Sequence, residues 1–319
     1  HSLALRSLKF LHIIGLLGLV PKQINNKNLN QHIEKKNFLS KFKNKVGFAA
    51  GLDKNGDYID CLAAIGIDFI EVGTVTPRPQ SGNTKPRIFR NKEKKSLLNR
   101  LGFNNKGVDH LVRNLKSRKS KIVVGTSIGK NFDTPNERAF EDYVHCLEKV
   151  YKYSDYIALN ISSPNTKNLR DLSSTEYLNL LLQNIKTKQD KLSSLYGYKP
   201  ILVKISPDES EKTLTQICSS IITCNMDGII CSNTTVDHDN KNGSGGLSGA
   251  PLKNKSTSIL KFIKKITGNK ISIIASGGVM SSLDYEEKIN AGADLVQIYT
   301  GFIYEGPKLI KDILNLRSE

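Results

Sequence analysis

Residues 155–166 contain side chains that could bind a small ligand and act on it. The segment starts as a short apolar run typical of a buried strand and then changes to Asn160, Ser163 and Asn165. The two amides offer paired donors and acceptors, which suit the edge of a small planar heterocycle, and Ser163 is placed to act on that ring. The structural alternative is an Asx or Ser turn after a strand. The ends of the other strands help to decide between the two interpretations.

Several amide side chains are expected at the same ligand site as residues 155–166. Four amides without an acid suggest a neutral polar ring with several C=O and N–H groups, and Lys54 would neutralise a carboxylate on the same ligand. No pair of carboxylates occurs at the predicted strand ends, which argues against glycosidase chemistry, and no Ser-His-Asp signature appears. A Schiff-base aldolase that uses Lys204 stays open from chemistry alone. The four amides are Asn99, Asn160, Asn165 and Asn233.

Glycines near the last two predicted strands are typical of a phosphate site. Glycines beside a helix N-terminus let backbone N–H groups approach a phosphate closely, which implies a phosphorylated cofactor. Lys204 ends a buried strand, so its charge needs a ligand or a partner. An isoalloxazine edge would serve, because a cation there stabilises the reduced, anionic flavin, and a carboxylate partner is the alternative. The glycines are Gly249, Gly277, Gly278 and Gly301.

Apolar, strand-like runs alternate with amphipathic, helix-like stretches from Val46 onward. Eight such β/α units predict a (β/α)8 TIM barrel of the α/β class. A doubly wound open sheet is the alternative, although no GxGxxG motif opens a helix. Residues 76–103 are expected to form a small hairpin over the barrel mouth. The predicted strands are 46–51, 69–75, 121–128, 156–161, 200–205, 228–232, 271–276 and 295–300. The helix-like segments lie near 56–65, 104–116, 137–152, 174–190, 209–223, 255–266, 282–291 and 306–316.

The ends of these strands favour a functional site over a simple turn. In TIM barrels the chemistry lies at the C-terminal ends of the strands. Nearly every predicted strand here ends in polar residues or glycine, for example Lys54, Asn160, Lys204 and Asn233. Such an arrangement is improbable by chance, so we expect these side chains to surround one ligand site.

The composition limits the class of protein. The chain has 319 residues, of which 38% are hydrophobic and 24% charged, which suits one large α/β domain or two smaller ones. The net charge of +17 is compatible with nucleic acid, an anionic membrane surface or a solvated lysine-rich surface, and the last is favoured. The histidines show no metal-type pairing, so no metal is expected. Five cysteines are expected to be reduced core residues: Cys61, Cys146, Cys218, Cys224 and Cys231.

The N-terminal residues 2–20 are apolar with a few basic residues. Their unbroken apolar part, residues 13–20, is far shorter than the ~20 residues that a membrane-spanning helix needs. Two interpretations stay open. The segment either lies in a membrane interface, with Arg6, Lys9 and Lys22 near the headgroups, or packs on the main domain.

Ten segments together resemble one enzyme family. The chain resembles the dihydroorotate dehydrogenases, and most closely their class 2, which is quinone-linked and membrane-associated. The resemblance runs from about residue 1 to the end. The segments are AAGLDK (49–54), EVGTVTPRPQSGN (71–83), LLNRLGFNNKG (97–107), IGKN (128–131), LNISSPNTKNLRDL (159–172), VKISPD (203–208), SNTT (232–235), GGLSGAPLK (245–253), ASGGV (275–279) and GADLVQIYTGFIYEGP (292–307).

The resemblance implies an enzyme that oxidises dihydroorotate to orotate in de novo pyrimidine biosynthesis, with FMN as hydride acceptor and a quinone as final electron acceptor. It implies that Ser163 is the catalytic base, which removes the C5 proton while hydride leaves C6; class 1 members have Cys at this position. A serine hydroxyl is a poor base in water, so it needs a water-excluding site, and residues 164–173 are the candidate lid. The implied substrate contacts are Lys54, Asn99, Arg100, Leu101, Gly102, Phe103, Asn160, Asn165, Asn233 and Thr234. The implied FMN contacts are Ala50, Gly51, Leu52, Asp53, Lys54, Thr74, Ser127, Asn160, Lys204, Ser232, Gly249, Gly277, Gly278, Tyr299 and Thr300.

The resemblance also implies two domains and a membrane. Residues 1–30 would be a helical extension and connector that brings quinone to the flavin, and residues 31–319 the barrel. Residues 1–22 would hold the protein peripherally on an inner membrane, either the bacterial cytoplasmic face or the mitochondrial inner membrane. The chain departs from the family at Ser127, where Asn is usual, and we expect this side chain near the flavin.

Three rival functions remain open in the sequence, and the weakest is a non-enzymatic membrane-surface protein, because it leaves the polar strand ends unexplained. A class 1 type enzyme that uses fumarate or NAD is disfavoured by Ser163 and by the apolar N-terminus. An RNA-acting flavin barrel is suggested by the net charge, but base-stacking aromatics are missing beside the basic runs. We therefore expect no nucleic-acid partner.

Overall fold

Eight parallel strands close into a barrel in the computed structural model of the chain. The structure describes residues 2–15, 39, 42, 44–166, 169–239 and 243–316. Its strands are β1 (Val46–Phe48), β2 (Phe69–Val75), β3 (Ile88–Asn91), β4 (Ser96–Asn99), β5 (Val123–Ile128), β6 (Tyr156–Asn160), β7 (Ile201–Lys204), β8 (Gly228–Cys231), β9 (Gly246–Gly249), β10 (Ser272–Ser276) and β11 (Leu295–Ile298). Around the barrel the order is β1-β11-β10-β8-β7-β6-β5-β2, and β2 pairs with β1 to close it. The predicted TIM barrel is confirmed, and the open doubly wound sheet is wrong.

Amphipathic helices cover the outside of the barrel. The apolar residues Val108, Leu111 and Leu115 follow helical spacing in the third helix and are all buried. Serine N-caps begin two other helices: Ser210 and Ser281 each accept a hydrogen bond from the backbone N–H three residues later. The helices are α1 (Ser2–Ile13), α2 (Ile59–Ala63), α3 (Val108–Ser117), α4 (Ala139–Val150), α5 (Thr175–Tyr196), α6 (Glu211–Thr223), α7 (Lys253–Thr267), α8 (Ser282–Asn290), α9 (Thr300–Glu305) and α10 (Pro307–Asn315).

Large and small side chains alternate in the barrel interior. A Cβ on Gly47 would lie 2.5 Å from the Phe69 ring, and a Cβ on Gly125 would lie 2.0 Å from the Tyr156 ring. The two aromatic rings contact each other edge to face, with centroids 6.4 Å apart. This packing fills the interior of the barrel with side chains.

A three-stranded antiparallel sheet, β3-β4-β9, lies beside the barrel mouth. The hairpin expected within residues 76–103 is present as β3 and β4, and β9 is a third strand that the sequence did not predict. The Tyr304 hydroxyl on α9 donates to the carbonyls of Asn91 and Ser96, at 2.7 and 3.0 Å, and ties the hairpin to the barrel.

The first helix packs on the barrel with one side and exposes the other. Leu5 is buried, and the Lys9 ammonium donates to the Asp57 carbonyl at 2.9 Å. On the free side, 62% of Phe10 and 70% of Ile13 are exposed. Among the described residues, no helix has the length and apolar content to cross a membrane. Most of the predicted connector and the domain boundary at residue 30 fall on residues 16–38, outside the described residues, so the domain division stays a prediction.

Several element boundaries differ from the sequence prediction, and two of them lie at the last strand and the first barrel helix. The last strand ends at Ile298, and Thr300 already begins α9. The helix expected near 56–65 shortens to α2 because the Asp53 carboxylate accepts the backbone N–H groups of Asp57 and Tyr58, which holds a turn there instead.

Candidate active site

One cavity of about 360 Å³ opens at the C-terminal ends of the barrel strands. It brings together most of the site residues that the sequence predicted, from all parts of the chain. These are Ala50, Gly51, Lys54, Thr74, Asn99, Leu101, Gly102, Phe103, Asn160, Ser163, Asn165, Lys204, Ser232, Asn233, Thr234, Gly249, Gly277, Gly278, Tyr299 and Thr300.

Four predicted contact residues do not line the cavity. Leu52 is buried in the core, and Asp53 holds the turn at residues 57 and 58, where desolvation raises the pKa of its carboxyl to about 6. The Arg100 guanidinium lies 4.9 Å from the centre of the Phe89 ring. Ser127 lies behind the wall, with its hydroxyl 2.9 Å from that of Thr74. Ser127 therefore meets the cavity through Thr74.

The amides form two linked pairs on the cavity wall. Asn233 Nδ2 donates to Asn160 Oδ1 at 3.3 Å, and Asn160 Nδ2 donates to the Thr74 hydroxyl at 2.8 Å. On the other side, Asn165 Nδ2 donates to Asn99 Oδ1 at 2.9 Å. These bonds orient the amides and leave further donor and acceptor positions for a planar ring with alternating C=O and N–H groups.

Ser163 follows β6 and lies 6% exposed at the wall of the cavity. The backbone N–H of Asn165 donates to Ser163 Oγ at 3.3 Å. A donor at this oxygen stabilises negative charge on it, which assists a hydroxyl that exchanges a proton with a ligand. The low exposure satisfies the requirement for a site with little water.

Lys204 has a buried carboxylate partner. Its ammonium lies 3.8 Å from Glu71 Oε1, and the other Glu71 oxygen accepts from Tyr156 at 3.1 Å and from Gln297 at 2.7 Å. Burial lowers the pKa of Lys204, while the negative charge of Glu71 raises it. The carboxylate alternative considered for Lys204 is therefore present, and Lys204 also lines the cavity.

Lys54 contributes a second cation to the cavity. Its ammonium donates to Asn104 Oδ1 at 3.1 Å. Although the residue is partly exposed, the surrounding protein desolvates the ammonium and lowers its pKa to about 7, with a further contribution from the positive charge of Arg87. An anionic ligand beside Lys54 would restore its full charge, so the site favours a carboxylate.

The glycine end of the cavity depends on close backbone packing. Gly278 has φ +77°, and a Cβ on it would lie 2.2 Å from Lys253 Cα at the start of α7. The ammonium of Lys288, which is buried, donates to the hydroxyls of Ser256 and Thr257 on α7 at 2.7 and 2.6 Å. These bonds hold the first turn of this helix in place. Backbone N–H groups at such a turn and helix start suit a phosphate.

The cavity also has lining residues, most of them apolar, that were not predicted from the sequence. Ile88 and Arg90 on β3 line it, together with Leu97, Val279 and Ile303. Residues 88 and 90 lie two apart in a strand, so their side chains point to the same face. This period-2 spacing within the predicted hairpin is the signal that could have identified them. Gln297 was also missed, since it lies inside an otherwise apolar strand.

Comparison with known proteins agrees with this geometry. The sequence profile of the family described as "Dihydroorotate dehydrogenase" matches residues 32–317. The chain is 52% identical over 280 residues to a "Dihydroorotate dehydrogenase (quinone)" of Vibrio parahaemolyticus, covering 86% of this chain and 83% of the relative. It is 48% identical over 320 residues to the enzyme of that name from Methylobacillus flagellatus. That match covers 98% of this chain and 93% of the relative. The crystal structure of a "ligand-free type DHODH" from Eimeria tenella superposes with a TM-score of 0.85 at 33% identity, covering 98% of this chain and 92% of that one.

Proposed function

Because the chain belongs to the dihydroorotate dehydrogenase family and to its quinone-linked class, we propose that it oxidises dihydroorotate to orotate with FMN and a quinone, in de novo pyrimidine biosynthesis. The observation that carries the proposal is the cavity that unites Ser163, the amide pairs, Lys54 and Lys204 at the strand ends. The family to which the chain belongs argues against the Schiff-base aldolase considered from chemistry alone.

The residues at the cavity fit FMN. Gln297 lines the cavity, and within the described part of the chain its Oε1 is buried without a protein hydrogen-bond partner, so this atom is available to a ligand. Lys204 and Ser232 would bind the ring, and the backbone at Gly249, Gly277 and Gly278 would bind the phosphate. FMN, when bound, accepts the hydride that leaves C6 of the substrate.

The chain's own residues would bind the substrate and remove its proton. Lys54 would pair with the substrate carboxylate, and the amides of Asn99, Asn160, Asn165 and Asn233 would hold the edges of the ring. Ser163 Oγ would take the C5 proton as general base in its deprotonated form, which the N–H of Asn165 that donates to this oxygen would stabilise.

The apolar lining residues of the cavity are the proposed contacts for quinone. Ile88, Leu97, Val279 and Ile303 supply apolar walls that suit a quinone ring, and Arg90 supplies one donor group for a quinone carbonyl. The exposed Phe10 and Ile13 of α1 would lie in the membrane interface, so that quinone reaches the cavity from the lipid. The protein would accordingly be a peripheral protein of an inner membrane.

An anaerobic absorption spectrum tests the proposed function. The purified protein is expected to show a flavin band that dihydroorotate bleaches and a short-chain quinone restores. Bleaching without recovery would reject quinone as the electron acceptor while keeping the substrate. A flavin band that dihydroorotate leaves unchanged would reject the substrate, and a protein that binds no flavin would reject the cofactor.

A further inference from the structure

Arg170 is a half-buried cation that the proposed reaction does not use. It lies in the short 3-10 turn Leu169–Ser173, and its side chain is 23% exposed. Each of its three guanidinium nitrogens has a partner. Nη1 pairs with Asp208 Oδ2 at 2.9 Å, Nη2 donates to the Thr234 carbonyl at 3.2 Å, and Nε donates to the Ser162 carbonyl at 3.4 Å.

The two carbonyls belong to two different segments of the cavity wall, which Asn233 also joins through hydrogen bonds to Asn160 and Ser162. The Ser162 carbonyl belongs to the peptide bond between Ser162 and Ser163. The Thr234 carbonyl belongs to the peptide bond that follows Thr234, a residue of the proposed substrate wall. These residues follow β6 and β8, which are not neighbours in the barrel. One planar group therefore bonds to the backbone beside the catalytic base and to the backbone of the substrate wall.

The two segments that follow β6 and β8 approach each other closely at Gly246. A Cβ on Gly246 would lie 2.0 Å from Thr234 Oγ1 and 3.1 Å from Pro164 Cγ, so the space between the segments admits only a glycine. A shift of either segment would be transmitted to the other at this point, and the distance between Ser163 and Thr234 is narrowly defined.

Asp208 provides a fixed anchor for Arg170. It is 14% exposed, accepts from Lys255 Nζ at 2.7 Å and from the N–H of Val236 at 2.9 Å, and is also bonded by the Thr235 hydroxyl. Burial alone would raise the pKa of Asp208, but the hydrogen bonds from Lys255 and Thr235 hold it below its ordinary value. The ionised carboxylate neutralises Arg170, which does not line the cavity, so Arg170 can act on a ligand only through its neighbours.

We propose that Arg170 is a positioning residue for the reaction, and that it sets the distance between the base Ser163 and the substrate wall at Thr234. The proposal rests on the function proposed above. Lysine could not replace it, because a single ammonium has no forked geometry with which to bond two carbonyls and a carboxylate in one plane. A base displaced by about 1 Å loses on the order of 100-fold in rate, which is the size of effect expected here.

The test compares Arg170→Ala with Arg138→Ala, an exposed arginine on the described part of the chain that forms an ion pair with Glu141. Dihydroorotate should bleach the flavin of Arg170→Ala about 100-fold more slowly, while reoxidation by quinone stays within about twofold. Added guanidinium ion should restore the bleaching rate at least about tenfold, and ammonium should not. Arg138→Ala should behave as the unsubstituted protein. A normal bleaching rate in Arg170→Ala, or a slow rate that guanidinium leaves unchanged, would overturn the proposal.

A second readout separates this proposal from the proposed function. Amide hydrogen exchange at residues 161–166 and 234–236 should speed up in Arg170→Ala and slow again with guanidinium, whatever the substrate is. Unchanged exchange would overturn the positioning role, whereas faster exchange in a protein that dihydroorotate never bleaches would count against the function alone. If Arg170→Ala does not fold, Arg170→Lys takes its place, since it keeps the charge beside Asp208. If dihydroorotate bleaches the flavin of Arg170→Lys about tenfold more slowly than that of the unsubstituted protein, the proposal is supported. A normal rate in this variant rejects it.

Discussion

Ser163 provides one oxygen, and that oxygen already accepts a hydrogen bond from the Asn165 N–H. Replacing it by Ala removes the proposed base without changing the backbone. We expect Ser163→Ala to slow the bleaching of the flavin by dihydroorotate by about 1,000-fold, because a positioned general base contributes roughly 10²–10⁴-fold. The flavin band itself should stay. Stopped-flow absorbance measures the rate, and Ser194→Ala on the exposed side of α5 is the matched control. Equal rates in both variants would remove Ser163 from the mechanism.

The Lys54 ammonium makes ligand binding depend on pH. Burial lowers its pKa to about 7 in the free protein, and a bound carboxylate raises it again, so above pH 7 the ligand binds together with a proton. The affinity for orotate is therefore constant below about pH 7 and falls roughly tenfold per pH unit above it, until the pKa of the complex is reached. Calorimetric titration from pH 6 to 9 checks this.

Lys54→Met is the control for that pH profile. It should bind orotate weakly, with an affinity that no longer depends on pH across this range. A flat profile in the unsubstituted protein would show that Lys54 is not the group that pairs with the carboxylate.

Many of the residues that line the cavity could be predicted, but their partners could not. Lys204 was recognised as a cation that needs compensation, yet its partner Glu71 lies on β2, which is distant from β7 in sequence. Closure of the barrel, rather than any local pattern, brings the two together. Ser127 and Arg100 were expected at the ligand, but the first lies behind Thr74 and the second against Phe89, because residue type and strand position do not specify which way a side chain points.

At the scale of elements, α1 presents an apolar face that the barrel leaves uncovered. Among the α1 side chains that the structure describes, Phe10 and Ile13 are the most exposed apolar ones. We expect Phe10→Asp combined with Ile13→Asp to weaken binding to lipid vesicles at least about tenfold, since each buried apolar side chain contributes roughly 1.5–3 kcal/mol. Vesicle flotation measures the binding. Reduction of membrane quinone should slow with it, whereas bleaching by dihydroorotate should not change.

Leu180→Asp is the control for the helix, because Leu180 is an exposed apolar residue on α5. If this variant lost as much vesicle binding as the α1 variant, the membrane contact would not reside in α1. Loss of both half-reactions in the α1 variant would instead point to a role in folding.

The element that the sequence analysis missed has a clear cause. The strand β9 is Gly246–Gly249, with the sequence GLSG, and two glycines in four residues give it little strand propensity. It becomes a strand because β4 pairs with it and because Gly246 fits between Thr234 and Pro164. The eight barrel strands, by contrast, carry apolar runs that identify them without tertiary information, which is why the fold was predicted and the small sheet was predicted only in part.

At the scale of the whole molecule, the closed barrel couples the packing of its interior to the geometry of the ligand site. The Tyr156 ring packs on Gly125 in the interior, and the Tyr156 hydroxyl donates to Glu71, the partner of Lys204. The same side chain thus fills the base of the barrel and orients the charge at the cavity. A change in interior packing is expected to reach the ligand through this residue.

Gly125→Ala tests that link, because the new Cβ would lie 2.0 Å from the Tyr156 ring. Overpacking of this kind costs about 1–3 kcal/mol of the free energy of unfolding, which corresponds to a fall in Tm of roughly 1–2 °C per kcal/mol for a chain of this size. The displaced ring also loosens the hydrogen bond to Glu71, so the affinity for FMN should fall together with Tm. Ser117→Ala, at an exposed helix end, should change neither. A lower Tm with unchanged FMN affinity would show that packing and site are independent; an unchanged Tm would show that the ring moves aside without cost.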